Sequence, residues 1–163
     1  MANKRAVLFT CILIAASSFS PAQAEEGAFH RQASFAYNFT LQDLSGNPVS
    51  LSSYRGRQPV ILFFWTVSCP YCRTDLKKLE ALYPQLVKEG WEVLAINAGE
   101  PAYRVENFLK KNPFSFKVLL DKDADVSFAY GIFGVPTYAI IDQAGQVSFQ
   151  DNYFPEKDYQ VLR

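Results

Sequence analysis

Phe39-Thr-Leu-Gln-Asp-Leu44 alternates apolar and polar residues with the period of two that a half-buried strand requires. Ser45-Gly46-Asn47-Pro48 is a turn, and Val49-Ser-Leu51 resumes the extended chain. Pro59-Val-Ile-Leu-Phe-Phe-Trp-Thr66 does not alternate at all. A run that apolar suits a strand covered on both faces. The pattern then changes period. Cys72, Leu76, Leu79, Tyr83 and Leu86 follow helical spacing up to Gly90, with Pro84 expected to kink the helix without dividing it. Trp91-Glu-Val-Leu-Ala-Ile-Asn97 is a second buried strand, and Pro101 to Lys111 reads as a helix stopped by Asn112-Pro113. Phe116 to Asp121 predicts a strand and Ala124 to Tyr130 a short helix. Thr137 to Ile141 and Gln146 to Phe149 predict two strands joined by a turn at Asp142-Gln-Ala-Gly145. A two-turn helix is expected from about Pro155 to the last residue. This order gives an α/β fold, a mixed central sheet with helices on its faces.

The first 24 residues carry a different pattern. Lys4 and Arg5 precede a short apolar run from Ala6 to Ala16, and Ala22-Gln23-Ala24 fits a small-x-small cleavage site. That is a secretory signal. The run is short against the roughly 20 residues of a membrane span, so cleavage is expected over retention as an anchor. The reading divides the chain into a signal peptide over 1–24, a flexible lead-in over 25–38 and one domain over 39–163.

The whole chain has 16 basic and 16 acidic residues, and loss of Lys4 and Arg5 leaves a net charge of −2. A protein that holds nucleic acid through its phosphates usually carries a strong basic excess, so nucleic acid is not an expected partner. His30 is the one histidine of the sequence. Multi-imidazole metal sites are therefore out, and no metal or cofactor is expected.

Cys11 leaves with the signal, which makes Cys69 and Cys72 the two cysteines of the mature chain. They flank Pro70 and Tyr71 where the buried strand gives way to the helix. The first-turn amides and helix dipole favour a thiolate at Cys69, and Pro70 loses nothing by lacking an N–H there. Cys72 lies one turn on and can close a disulfide with Cys69. Cys69 is then the attacking thiol and Cys72 the buried resolving thiol. A structural disulfide, half of a zinc site and two unrelated core cysteines are the competing readings.

The stretch from Phe39 to Phe149 resembles the TlpA/ResA-like branch of the thioredoxin-fold thiol-disulfide oxidoreductases. The resemblance rests on the Phe39–Leu51 segment, Phe64-Trp65 before Cys69-Pro-Tyr-Cys72, Gly131-Ile-Phe-Gly-Val-Pro-Thr137 and Ile140-Ile-Asp142. It implies a thioredoxin-like fold with an extra N-terminal β-hairpin. Pro136 corresponds to the cis-proline that faces the cysteines, and Val135 to the residue whose backbone pairs with the substrate chain. Pro70 and Tyr71 would line the substrate site. Asp75 occupies the place of an acidic residue, usually Glu, near the buried thiol, and would exchange its proton. The sequence also departs from its relatives. Phe63 stands where thioredoxins proper have a buried Asp, Ser68 where a Trp usually precedes the first Cys, and Pro70-Tyr71 is the dipeptide of glutaredoxins.

The function expected is extracytoplasmic, periplasmic disulfide exchange with cysteine-containing client proteins, in the direction of reduction. A membrane-bound thiol donor would supply the electrons, and the protein is expected to be a monomer. A thiol peroxidase is the alternative suggested by Thr66-Val-Ser-Cys69, although Leu62 replaces the expected proline. A copper-binding assembly factor on the same fold is another, although no histidine follows His30.

Overall fold

A computed structural model describes residues 34–163. The expected signal peptide, Cys11 and His30 lie outside the described residues. Strands β1 (Thr40–Asp43) and β2 (Pro48–Ser50) come first. Then follow β3 (Val60–Trp65), α1 (Pro70–Lys88), β4 (Glu92–Ala98) and α2 (Ala102–Leu109). The chain continues through β5 (Lys117–Asp121), α3 (Asp125–Ala129), β6 (Thr137–Ile141) and β7 (Val147–Asp151).

The strands form one mixed sheet in the order β2-β1-β5-β4-β3-β6-β7. The central β5, β4 and β3 are parallel, and β6 and β7 continue antiparallel from β3. The N-terminal hairpin attaches to the other edge, β1 antiparallel to β5. This is a thioredoxin-like fold, mixed sheet and N-terminal strand pair included.

The unbroken apolar run of β3 is explained by its two faces. Ile61, Phe63 and Trp65 point into the layer under α1, with Cys72, Leu76, Leu79 and Leu86. Val60, Leu62 and Phe64 point the other way, to Val126 and Tyr130 of the α3 region. Each residue of β3 is buried. Pro84 sits inside α1 without ending it. The helix ends instead at Gly90, whose φ of +84° suits a residue without Cβ. Trp91 N bonds Leu86 O at 2.9 Å and Gly90 N bonds Val87 O at 3.0 Å, a Schellman closure. Trp91 and Leu86 then share the same core layer.

Two segments differ from the sequence expectation. Residues 34–38, read as part of a flexible lead-in, pack along the sheet. Ala36 N bonds Gly145 O at 2.9 Å, Val147 N bonds Ser34 O at 3.0 Å, and Tyr130 Oη donates to Tyr37 O at 2.8 Å. These bonds reach residues about a hundred positions away, which local periodicity does not register. At the other end the expected α-helix is a 3₁₀ turn, Tyr159–Leu162. Two turns supply too few bonds to repay helix nucleation. Tyr159 holds the segment in place, buried beside Trp91 and Phe154 with ring centroids at 5.6 and 5.4 Å.

Candidate functional site

The C-terminal end of β3, the N-terminus of α1 and the loop before β6 meet at the two cysteines. Cys69 is the N-cap of α1, with Pro70 at the first helical position. Cys69 and Cys72 form a disulfide with their Cα atoms 5.3 Å apart. Cys72 N donates to Cys69 Sγ at 3.1 Å. That amide would stabilise a Cys69 thiolate directly, in addition to the helix dipole. The two sulfurs differ in access. Cys69 is part-buried, whereas Cys72 is fully buried against Phe63, Trp65 and Leu76. Tyr71 is 78% exposed at the rim.

The loop facing the disulfide carries the Val135–Pro136 peptide, which is cis. Val135 O lies 3.6 Å from Cys69 Sγ. Two side chains fix this loop. Thr137 Oγ1 donates to Gly134 O at 2.7 Å, and Asn152 Nδ2, from beyond β7, donates to Pro136 O at 2.8 Å. Upstream, Asp121 accepts from Ser127 N at 2.8 Å and Ser127 Oγ at 2.7 Å, which anchors α3 and hence the start of the loop. Phe133, in the same loop, is 95% exposed.

Asp75 lies one turn beyond Cys72, but its partners lie elsewhere. Its carboxylate pairs with Lys78 at 3.2 Å and faces the buried Tyr138 hydroxyl. Burial first, and the Asp75 charge second, hold that phenol well above its ordinary range. Among the described residues no hydrogen bond joins Asp75 to Cys72. The short side chain therefore engages the cleft wall and Lys78, on the flank of α1 that faces β6.

A second carboxylate, not anticipated from the sequence, reaches the loop before Cys69. Glu100 follows β4 and is buried. Its Oε2 accepts from Val67 N at 2.6 Å and from Asn97 Nδ2 at 2.8 Å. Its Oε1 lies 3.3 Å from Arg104 Nε, in ion-pair contact. Glu100 thus ties the β3–α1 loop to the end of β4. The loop closes on itself as well, Cys69 N bonding Thr66 O at 3.3 Å and Thr66 Oγ1 meeting Ser68 Oγ at 3.2 Å. A polar residue at the carboxyl end of a buried strand was the available signal, since sites in such sheets gather there. Nothing in its spacing pointed to residue 67.

Comparison with known proteins fits this geometry. A model of the AhpC/TSA family matches residues 33–150. The chain belongs to the AhpC/TSA family. Among its relatives, the thiol-disulfide oxidoreductase ResA of Halalkalibacterium halodurans is 37% identical over 112 residues, 69% of this chain and 63% of that protein. The ResA of Geobacillus thermodenitrificans is 39% identical over 114 residues, 70% of this chain and 65% of that protein. The chain thus spans slightly under two-thirds of the length of these relatives. A crystal structure from Chlorobium tepidum, described as a thiol:disulfide interchange protein DsbE, superposes with a TM-score of 0.72 at 27% identity, covering 80% of this chain and 93% of that one.

Among the described residues no helix is long and apolar enough to cross a membrane, and no three His, Cys, Asp or Glu side chains are grouped to hold a metal ion. Among the described residues a copper-binding role would therefore rest on the dithiol alone.

Proposed function

We propose that the protein is a thiol-disulfide oxidoreductase that reduces disulfides in client proteins outside the cytoplasm. The observation that carries this reading is the Cys69–Cys72 disulfide at the start of α1, with Cys69 accepting from the Cys72 amide and facing Val135 O. In the reduced protein the Cys69 thiolate attacks one sulfur of a client disulfide. The client's other sulfur leaves as a thiolate and takes a proton from solvent. Cys72 then gives up its proton and attacks Cys69 Sγ, which forms the Cys69–Cys72 disulfide and releases the client's first sulfur as a thiol. Two electrons have passed to the client, and a membrane-bound dithiol donor restores Cys69 and Cys72. Asp75, one helical turn beyond Cys72, is the candidate acceptor for the Cys72 proton.

The client's backbone lies extended along Val135, with Pro136 keeping an N–H and any ligating atom away from the thiols. Pro70 and Tyr71 form the opposite lip. The location follows from residues 1–24 read as a cleaved signal, with the domain acting as a monomer in a compartment where disulfides persist.

The test is a trapping experiment. Cys72→Ser lacks the resolving thiol and should accumulate mixed disulfides through Cys69, whereas Cys69→Ser should accumulate few. Trapping through Cys72 alone would reverse the roles. Reduced protein that consumes hydrogen peroxide rapidly and leaves protein disulfides untouched would establish the peroxidase instead.

A further inference from the structure

A second surface leads away from the dithiol on the flank of α1 opposite to Asp75. A groove of about 840 Å³ starts at Pro70 and runs between α1 and the segment after α2, lined among others by Arg73, Lys77, Lys78, Phe108 and Phe114. One wall is cationic. Arg73 and Lys77 are exposed, and among the described residues neither takes part in an ion pair. The acids nearby are turned elsewhere. Glu80 accepts from Ser115 N and Oγ at 2.8 and 2.7 Å, and Asp75 is paired with Lys78 at 3.2 Å. The opposite wall is apolar and held firmly from behind. Phe108 packs on Trp65 at 5.6 Å between ring centroids, and Phe114 stacks on Phe116 at 5.2 Å. Both phenylalanines are only partly buried.

The spacing of the cations matches an extended chain. Arg73 and Lys77 lie four and eight residues along the helix from Cys69, about 6 and 12 Å at its rise of about 1.5 Å per residue. A strand advances about 3.3 Å per residue, so its second and fourth residues reach about 7 and 13 Å. Those two side chains project to the same side, and the residue between them projects to the other.

We propose that this groove seats the part of the client that flanks its reacting cysteine, and that it selects carboxylates two and four residues from that cysteine with an apolar residue between them. The carboxylates meet Arg73 and Lys77, and the apolar side chain lies on Phe108 and Phe114. The inference rests on the exchange reading above and adds the kind of client that is preferred.

The experiment uses the reduced protein and peptides with a single cysteine, supplied as disulfide-linked homodimers. One set carries Glu at the second and fourth positions from the cysteine, another the isosteric Gln, a third Lys. Each set is made with the charges on the N-terminal and on the C-terminal flank. At low salt the Glu peptide of one flank should be reduced about tenfold faster than its Gln counterpart, since an exposed charge pair is worth about two- to fivefold. The advantage should shrink in high salt. Lys77→Glu should abolish the preference, because Arg73 still favours one Glu while the new carboxylate repels the other. In high salt the same variant should open the uncharged hydroxyethyl disulfide at the wild-type rate, because position 77, about 12 Å along the helix from Cys69, then lies beyond the Debye length. Equal rates for Glu and Gln peptides on both flanks would overturn the proposal, as would a Glu preference that survives Lys77→Glu. A wild-type protein that fails even with hydroxyethyl disulfide would refute the exchange reading itself.

Discussion

Replacing Glu100 with Ala removes the acceptor for two donors at once, Val67 N at 2.6 Å and Asn97 Nδ2 at 2.8 Å. Asn97 is fully buried and Val67 is partly so. A buried donor left without a partner costs about 1–3 kcal/mol, so the two together should cost about 2–4 kcal/mol. The Arg104 pair adds little, because that side chain is half-exposed. For a domain of this size about 1 kcal/mol moves the midpoint by about 3–5 °C, so Glu100→Ala should melt roughly 10 °C lower. Glu100→Gln keeps an oxygen that can accept from both donors and gives up only the charge, which should cost about 1 kcal/mol. The assay is thermal unfolding of the oxidised protein by far-UV circular dichroism. It is paired with the rate at which the reduced protein opens hydroxyethyl disulfide. Once the Val67 anchor is lost, Cys69 is less well held, and the Ala variant should exchange about tenfold more slowly, well within the hundredfold that a misplacement of about 1 Å can cost. An Ala variant that melts within about 2 °C of wild type, the range of an ordinary surface change, would show that Glu100 does not hold this loop.

Other expectations follow from the same residues. Asp75→Asn should keep the midpoint within a few degrees, since its pair with Lys78 is exposed on the lysine side. It should nonetheless alter the pH–rate profile of exchange, and an unchanged profile would leave Asp75 as a partner of Lys78 and nothing more. Leu76→Ala opens a cavity beneath Cys72 in a fully buried position and should cost about 2–5 kcal/mol, read from the denaturation midpoint. Glu89, held below its ordinary 4.5 first by Gln85 and then by Tyr159, should stabilise the docked C-terminal turn above pH 4.5. That contribution is lost as the pH falls through the lowered value. Trp91 fluorescence, sensitive to the adjacent Tyr159 ring, should report the change and should lose it in Glu89→Gln.

Where the sequence was legible, local pattern and core burial agreed. The apolar run of β3 announced two covered faces, and the strand-to-helix step announced the position of Cys69 at an N-cap. The Gly134-Val135-Pro136-Thr137 match placed the loop opposite. What could not be read depends on partners distant in the chain. The hairpin pairs with β5, about 80 residues downstream. Ser34 and Ala36 pair with the β6–β7 turn, and Glu100 reaches Val67 across 33 positions. Asp75 illustrates a different limit. Helical spacing puts it on the side of Cys72, but side-chain length and the competing Lys78 ammonium decide where its carboxylate points. The C-terminal turn is a third case, since anchoring by Tyr159 outweighs the weak helix propensity of so short a segment.

The reduction potential of the Cys69–Cys72 couple tests the central claim most directly. The protein is equilibrated in buffers of graded dithiol and disulfide, and the free thiols are alkylated and counted by mass. A reductase of client disulfides should titrate as a single two-electron couple near about −270 mV, with Cys69→Ser and Cys72→Ser each abolishing the transition. A couple near about −120 mV would make the protein a donor of disulfides, and the absence of any reversible couple would contradict the account altogether.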